Sequence, residues 1–96
     1  MGAAMLMVSV GVPFDVPLNS TPTTGYLWEL PSPPVGVELL GSDFKQGPAA
    51  AMGDGGTQVF HLRANTSGSY KLNFQLKRRW ESTPIETMEV EVKTRN

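Results

Sequence analysis

The chain contains no cysteine and one histidine, His61. Without a thiol it has no disulfide framework and no cysteine nucleophile. With no second histidine, neither a zinc site nor a Cys/His nucleophilic pair can be assembled around His61. No other pair or triad of catalytic groups stands at a readable spacing. We therefore predict no metal, no cofactor and no enzymatic activity, and we expect His61 to be a hydrogen-bonded or exposed residue in mid-strand.

Excess charge and long apolar runs are also absent. The net charge is −1, whereas nucleic-acid-binding domains usually show a clear basic excess. No apolar run approaches the ~20 residues that cross a bilayer as a helix. We predict no nucleic-acid partner and no membrane partner. The lack of cysteine does not define a compartment, so localisation stays open, and a periplasmic or secreted mature form is compatible with the sequence.

The length of 96 residues predicts one domain over residues 1–96. A chain of this size buries roughly 60–70% of its unfolded surface, which is enough for a modest core. We expect residues 1–5 to be disordered or added by cloning. We also expect a monomer when the chain is free. The alternative is self-pairing through an apolar edge strand that carries Val8, Val10 and Val12.

Alternation of apolar and polar residues with a period of two is the main local pattern, and it predicts β-strands. It runs from Leu6 to Leu18, where Pro13 and Pro17 predict an edge strand that breaks or switches sheets. Residues 42–56 are predicted to be a long loop, with at most a small strand near Phe44. Further alternating segments lie at 26–30, 35–39, 57–63, 70–76 and 88–92. About seven strands and no amphipathic helix predict an all-β, immunoglobulin-like sandwich.

Three aromatic residues have predicted structural roles in that sandwich. Tyr70 begins its strand two residues after Gly68, which is typical of a tyrosine corner, in which the hydroxyl bonds back to the preceding turn. A core tyrosine with a solvated hydroxyl is the alternative. Tyr26 and Trp28 lie on the same face of their short strand as Leu30 and are expected to belong to the core under the loop that precedes them.

Three short strings interrupt the strands, and each is expected at a loop tip. We call them loop 1, loop 2 and loop 3: Thr21–Tyr26 (TPTTGY), Gly53–Gly56 (GDGG) and Lys77–Trp80 (KRRW). Because alternate loops of a small sandwich gather at one end, we predict that the three form one composite binding edge.

The residues of loop 1 predict a stiff, narrow and weakly charged tip. Pro22 fixes its own φ angle, and Gly25 can adopt a positive φ at the loop exit. Thr23 and Thr24 are β-branched and therefore restricted at χ1. An ordinary Pro-Thr turn between strands is the alternative.

The glycines of loop 2 permit close approach of a partner's main chain. Gly53, Gly55 and Gly56 suit pairing along an extended segment, and Asp54 is expected to be a turn residue. A phosphate-binding loop is excluded because no helix and no Gly-Lys-Ser/Thr sequence follows. A mobile loop without a partner remains the alternative.

Loop 3 combines two cations with an aromatic residue. Strand parity would place Trp80 near the core, but the alternation stops at Lys77, so we predict an exposed Trp80. Exposed tryptophan and arginine are enriched at binding hot spots. Arg78 is expected to orient the loop or to pair with an acidic group. Reading Lys77, Arg78 and Arg79 as a nucleic-acid patch is the weaker alternative.

The three loop sequences, taken in this order, resemble the motifs of the chagasin family of cysteine-protease inhibitors. That family carries Asn-Pro-Thr-Thr-Gly-Tyr/Phe, then Gly-x-Gly-Gly, then Arg-Pro-Trp, on an immunoglobulin-like sandwich. The resemblance extends over about residues 8–93. Loop 2 matches fully, Thr21 replaces the asparagine of the first motif, and Arg79 replaces the proline of the third.

The resemblance implies a reversible, non-covalent inhibitor whose partner is a papain-like cysteine protease. Loop 1 would lie over the catalytic Cys/His pair without being cut, and the flanking loops would grip the enzyme, with Trp80 on the primed side of the cleft. The implied protease-binding residues are Pro22, Thr23, Thr24, Gly25, Gly53, Asp54, Gly55, Gly56, Arg78, Arg79 and Trp80.

An immunoglobulin-like adhesion or carbohydrate-binding module is the alternative function, because sandwich loops serve many partners. A sugar site usually places exposed aromatic residues beside carboxylates or amides. In this sequence only Trp80 with Glu81 has that composition.

Overall fold

The computed structural model describes residues 2–20, 25–46 and 56–95, and these residues form seven strands in two sheets. The strands are β1 (Gly2–Ser9), β2 (Phe14–Ser20), β3 (Leu27–Glu29), β4 (Val37–Gln46), β5 (Gly56–Ala64), β6 (Ser69–Lys77) and β7 (Glu86–Arg95). One sheet has the order β1-β7-β6-β3 and the other the order β2-β5-β4. The prediction of an all-β sandwich of about seven strands is confirmed. In the described ranges no helix is long and apolar enough to cross a membrane.

The first alternating segment divides between the two sheets. β1 pairs in parallel with β7, whereas β2 pairs antiparallel with β5 at an edge of the second sheet. Pro13 lies in the connection and Pro17 lies in the edge strand, where a missing N–H costs little. The predicted switch of sheets is confirmed. β1 also includes residues 2–5, for which the sequence had suggested disorder.

The strand β4 is longer than its local sequence suggests. It continues to Gln46 through an irregularity between Leu39 and Gly41. The small strand that the sequence allowed near Phe44 is thus part of β4, and the prediction of a loop is wrong for the rest of residues 42–46. Asp43, Phe44 and Lys45 pair in register with β5. Pairing with a distant strand overrides weak local β-propensity here.

The core lies between the sheets and is apolar and aromatic. Its largest fully buried side chains are Phe74, Leu62, Leu72, Val90 and Val92. The rings of Phe60 (β5) and Phe74 (β6) lie 4.9 Å apart, centroid to centroid, and join the two sheets. The inward-facing alternation of β6 and β7 was readable in the sequence because each strand buries one face.

One buried polar clamp also joins the sheets. The side-chain amide of Gln58 (β5) accepts a hydrogen bond from the Trp28 backbone N–H at 2.9 Å and donates one to the Trp28 carbonyl at 2.8 Å. The Trp28 indole Nε1–H donates to the Asn19 carbonyl of β2 at 2.8 Å. Trp28 is 6% exposed, which confirms its scaffold role. The Gln58 amide thus satisfies the N–H and the carbonyl of Trp28, which lies in a short edge strand.

The turn between β5 and β6 confirms the predicted tyrosine corner. The Tyr70 hydroxyl donates to the Thr66 carbonyl at 2.7 Å. Gly36, with φ +100°, packs so closely that a Cβ there would lie 2.7 Å from the Tyr70 hydroxyl oxygen. This corner anchors the pole of the sandwich where β5 ends and β6 begins.

Candidate functional site

Strand pairing brings the bases of the three loops to one end of the sandwich. Ser20, the last residue of β2, and Gln46, the last residue of β4, both pair with Gly56 at the start of β5. In the other sheet Leu27 pairs with Lys77, so loop 1 enters β3 beside the point where loop 3 leaves β6. The Trp28–Asn19 hydrogen bond joins these two groups of strand ends. The strand ends that carry loops 1, 2 and 3 therefore lie at one pole of the sandwich, and the tyrosine corner lies at the other.

The described part of the chain contains five of the predicted site residues: Gly25, Gly56, Arg78, Arg79 and Trp80. The other six, Pro22, Thr23, Thr24, Gly53, Asp54 and Gly55, lie outside the described residues. Gly56 is the first residue of β5 and is paired on both sides, so it forms the base of its loop.

Loops 1 and 3 are in contact. Gly25 has a φ of +85°, the left-handed conformation that glycine adopts without strain. A Cβ at this position would lie 3.9 Å from Arg78 Cγ and Nε and 3.9 Å from Trp80 Cη2. These are ordinary van der Waals distances, so the positive φ and not a lack of space favours glycine here, and the exit of loop 1 lies beside the side chains of loop 3.

A stacked arginine links the aromatic residues of these two loops. The guanidinium carbon of Arg78 lies 4.5 Å from the ring centroid of Tyr26 and 5.9 Å from that of Trp80. Both distances are within the range of cation–π attraction. Arg78 therefore connects loop 1 to loop 3, which agrees with its predicted orienting role.

Trp80 is the most prominent apolar side chain of this end. It is 71% exposed, so the alternative of a buried core tryptophan is excluded. Leu27 and Ile85 are also exposed nearby in the chain, next to the bases of loops 1 and 3. The sequence did not predict their exposure, because Leu27 begins β3 and Ile85 directly precedes β7, where the alternation is too short to show which side chains face the core.

The three cations of loop 3 have different surroundings. Lys77 Nζ lies 3.8 Å from Glu29 Oε1, and Arg78 Nη1 lies 3.9 Å from Glu81 Oε2. Arg79 is exposed and makes no ion pair with any described residue. Glu81, considered from the sequence only as a neighbour of Trp80, is thus a structural partner of loop 3. Its three-residue spacing from Arg78 was the available signal.

His61 lies away from this end, on the outer face of the sheet β2-β5-β4. Its Nδ1 is 2.7 Å from Asp15 Oδ1, and its Nε2 is 2.8 Å from Asp43 Oδ2. The prediction of a hydrogen-bonded strand histidine is confirmed. Hydrogen bonds to Asp15 and then Asp43 raise the His61 pKa above its ordinary value of 6.5. Among the described residues, no group of three or more His, Cys, Asp or Glu side chains could hold a metal ion.

The raised pKa of His61 predicts a pH dependence of stability. Protonated His61 is favoured more in the folded chain than in the unfolded chain, so its stabilising effect is complete below the unfolded pKa. We expect that effect to be lost as pH rises through the folded pKa. Urea unfolding at about pH 5.5 and pH 8 will measure it in the wild type and in His61→Gln.

The comparison with His61→Gln isolates this contribution from all other titrating groups. Wild type should gain more stability than the variant on going from pH 8 to pH 5.5. Parallel pH profiles for the two proteins would contradict the effect of the two carboxylates.

Comparison with protein families gives one match over most of the chain. Residues 7–92 match the model described as "Chagasin family peptidase inhibitor I42". Among curated proteins, chagasin of Trypanosoma cruzi is 29% identical over 82 residues, which cover 80% of this chain and 74% of chagasin.

Three solved structures share this fold over nearly the whole chain. The crystal structure of the cysteine protease inhibitor EhICP2 from Entamoeba histolytica has a TM-score of 0.77 and 22% identity, covering 98% of this chain and 88% of EhICP2. The solution structure of Amebosin has a TM-score of 0.71 and 21% identity, covering 95% of this chain and 88% of Amebosin. PbICP-C, solved in complex with falcipain-2, has a TM-score of 0.63 and 16% identity, covering 98% of this chain and 88% of PbICP-C.

Proposed function

This chain belongs to the chagasin family of peptidase inhibitors, and on that premise we propose that it inhibits papain-like cysteine proteases by occupying their active-site cleft. The inhibition is reversible and non-covalent, and the chain is not an enzyme. The protease class is supported by two relatives of the same fold. EhICP2 is named a cysteine protease inhibitor, and PbICP-C was solved bound to falcipain-2.

The observation that carries the proposal is the joining of loops 1 and 3 through Arg78. Its guanidinium lies 4.5 Å from the ring centroid of Tyr26 and 5.9 Å from that of Trp80, and Gly25 lies beside the side chains of Arg78 and Trp80. Two loops held together in the free protein lose less conformational entropy when they bind a rigid cleft. An exposed tryptophan at the edge of that surface is a favourable anchor for a partner.

Each loop has a proposed part in closing the cleft. Pro22, Thr23, Thr24 and Gly25 lie over the catalytic Cys/His pair, where a stiff backbone keeps its peptide bonds away from attack geometry. Gly53–Gly56 approaches the enzyme main chain closely, because these positions carry at most one short side chain.

Loop 3 completes the proposed surface on the primed side of the cleft. Trp80 contacts an aromatic surface of the enzyme, Arg78 holds it in place, and Arg79 presents a positive charge. The whole contact is expected to bury roughly 1,600 Å² in total, the usual size for a protease–inhibitor complex.

A titration of papain tests this function. The purified chain is added to papain, and hydrolysis of a fluorogenic peptide is followed over a range of peptide concentrations. We expect competitive inhibition that dilution reverses, and an inhibitor of unchanged mass afterwards. Trypsin, a serine protease, serves as the control and should be unaffected. Full papain activity under a large molar excess of the chain would reject the proposal.

A further inference from the structure

Arg79 and Trp80 are the two central residues of a hydrogen-bonded turn. The Glu81 backbone N–H donates to the Arg78 carbonyl at 3.0 Å, which closes a four-residue turn over Arg78–Glu81. Residue 79 therefore occupies the second position of a β-turn, the position that proline favours because its φ is already fixed. The chain has an arginine there, whose φ no ring fixes, so other contacts decide how rigidly the turn is held.

The side chain of Glu81 provides the first of these contacts. Its Oε1 accepts a hydrogen bond from the Arg78 backbone N–H at 3.4 Å, and its Oε2 lies 3.9 Å from Arg78 Nη1. One carboxylate thus contacts both the backbone at the start of the turn and the guanidinium that stacks on Tyr26 and Trp80.

Lys77 provides the second contact, from the other side of the turn. Its Nζ donates to the Glu81 carbonyl at 2.8 Å and lies 3.8 Å from Glu29 Oε1 of β3. The Lys77 side chain is only 17% exposed, so its ammonium group depends on these partners more than a surface lysine does. The end of the turn is therefore tied to β6 and, through Glu29, to β3.

We propose that Glu81 is a positioning residue that, together with Lys77, holds Trp80 in its protease-contacting orientation. We call the contacts of Glu81 and Lys77 with the turn Arg78–Glu81 the brace, and it supplies the stiffness that a proline at position 79 would give. It also leaves position 79 free to carry the exposed charge of Arg79. The proposal rests on the proposed function, because its consequence is a lower ordering cost when Trp80 binds the protease.

Four variants and one control separate this role from a general structural one. They are Glu81→Ala, Glu81→Gln, Arg79→Pro, the double variant Glu81→Ala with Arg79→Pro, and Glu89→Ala. Glu89 is an exposed carboxylate on the outer face of β7 and controls for loss of one negative charge. Thermal melting establishes that each variant is folded, and Glu81→Gln retains an acceptor if the alanine variant is unstable.

We expect Glu81→Ala to raise the inhibition constant for papain about tenfold, and Glu81→Gln to raise it less. Arg79→Pro should recover about two- to fivefold in the Glu81→Ala background and less in the wild type. Glu89→Ala should inhibit as the wild type does. If Arg79→Pro recovered no affinity in the Glu81→Ala background, the claim that the brace does the work of a proline at position 79 would be overturned.

A second measurement on the free protein does not depend on inhibition. ¹⁵N relaxation of the Trp80 indole should show a less ordered ring in Glu81→Ala and restored order in the double variant. If the wild type does not inhibit papain, the proposed function fails, and the relaxation data alone decide whether the brace exists. An unchanged indole order in Glu81→Ala, or a loosened indole with an unchanged inhibition constant, would overturn the positioning role.

Discussion

Replacing Trp80 with alanine is expected to weaken inhibition of papain by about 2–4 kcal/mol, the usual span for a hot-spot aromatic residue. This corresponds to a rise of roughly 30- to 900-fold in the inhibition constant. The melting temperature should change little. Trp80 is 71% exposed, so its removal leaves no cavity in the core and loses only its contacts with Arg78 and with the region of Gly25.

The matched control for this variant is Val35→Ala. Val35 is 97% exposed and precedes β4 at the opposite pole, where Val37 pairs with Ala64. We expect it to inhibit as well as the wild type. If Trp80→Ala lowered the melting temperature strongly and left the inhibition constant unchanged, Trp80 would be a structural residue and the proposed interface would be wrong.

Replacing Gln58 with alanine is expected to lower the free energy of unfolding strongly. The Gln58 amide satisfies both the N–H and the carbonyl of Trp28 in the interior. Leaving a buried polar group without a partner costs about 1–3 kcal/mol, so the two together predict a loss of about 2–6 kcal/mol in the free energy of unfolding. Urea denaturation followed by tryptophan fluorescence measures this loss.

The same substitution should also weaken inhibition, because Trp28 lies in the three-residue strand that follows loop 1. Gln75→Ala is the control. Gln75 lies on β6 opposite Glu29, and its amide makes no hydrogen bond within the described residues. Equal stability of Gln58→Ala and Gln75→Ala would contradict the clamp.

Much of the fold was readable from the sequence because its signals are local. Alternation along β6 and β7 reports which face each strand buries, and Pro13 with Pro17 reports an edge. Tyr70 two residues after Gly68 indicated the hydrogen bond to the preceding turn, with a solvated hydroxyl as the alternative, and the structure shows the bond. The three loop strings, read in order, predicted the family and a shared end of the sandwich, and the strand ends that carry the loops do lie at one end.

The features that sequence reasoning missed depend on residues that are distant in the chain. Gln58 looked like any inward strand residue, because its partner Trp28 lies 30 positions away. The two carboxylates beside His61 are 46 and 18 positions away. Residues 42–46 form a strand only because β5 lies beside them. Such contacts follow from sheet order, which alternation alone does not determine.

The most direct test of the account is a map of the papain contact on the chain itself. Papain is titrated into ¹⁵N-labelled protein, and amide signals are followed residue by residue. We expect the perturbed amides to cluster at Gly25, Tyr26, Gly56 and Arg78–Trp80, with the Thr66–Ser69 turn and His61 unaffected. Perturbations centred on the tyrosine-corner pole or on β1, with the loop end unchanged, would contradict the claim that this end of the sandwich closes the protease cleft.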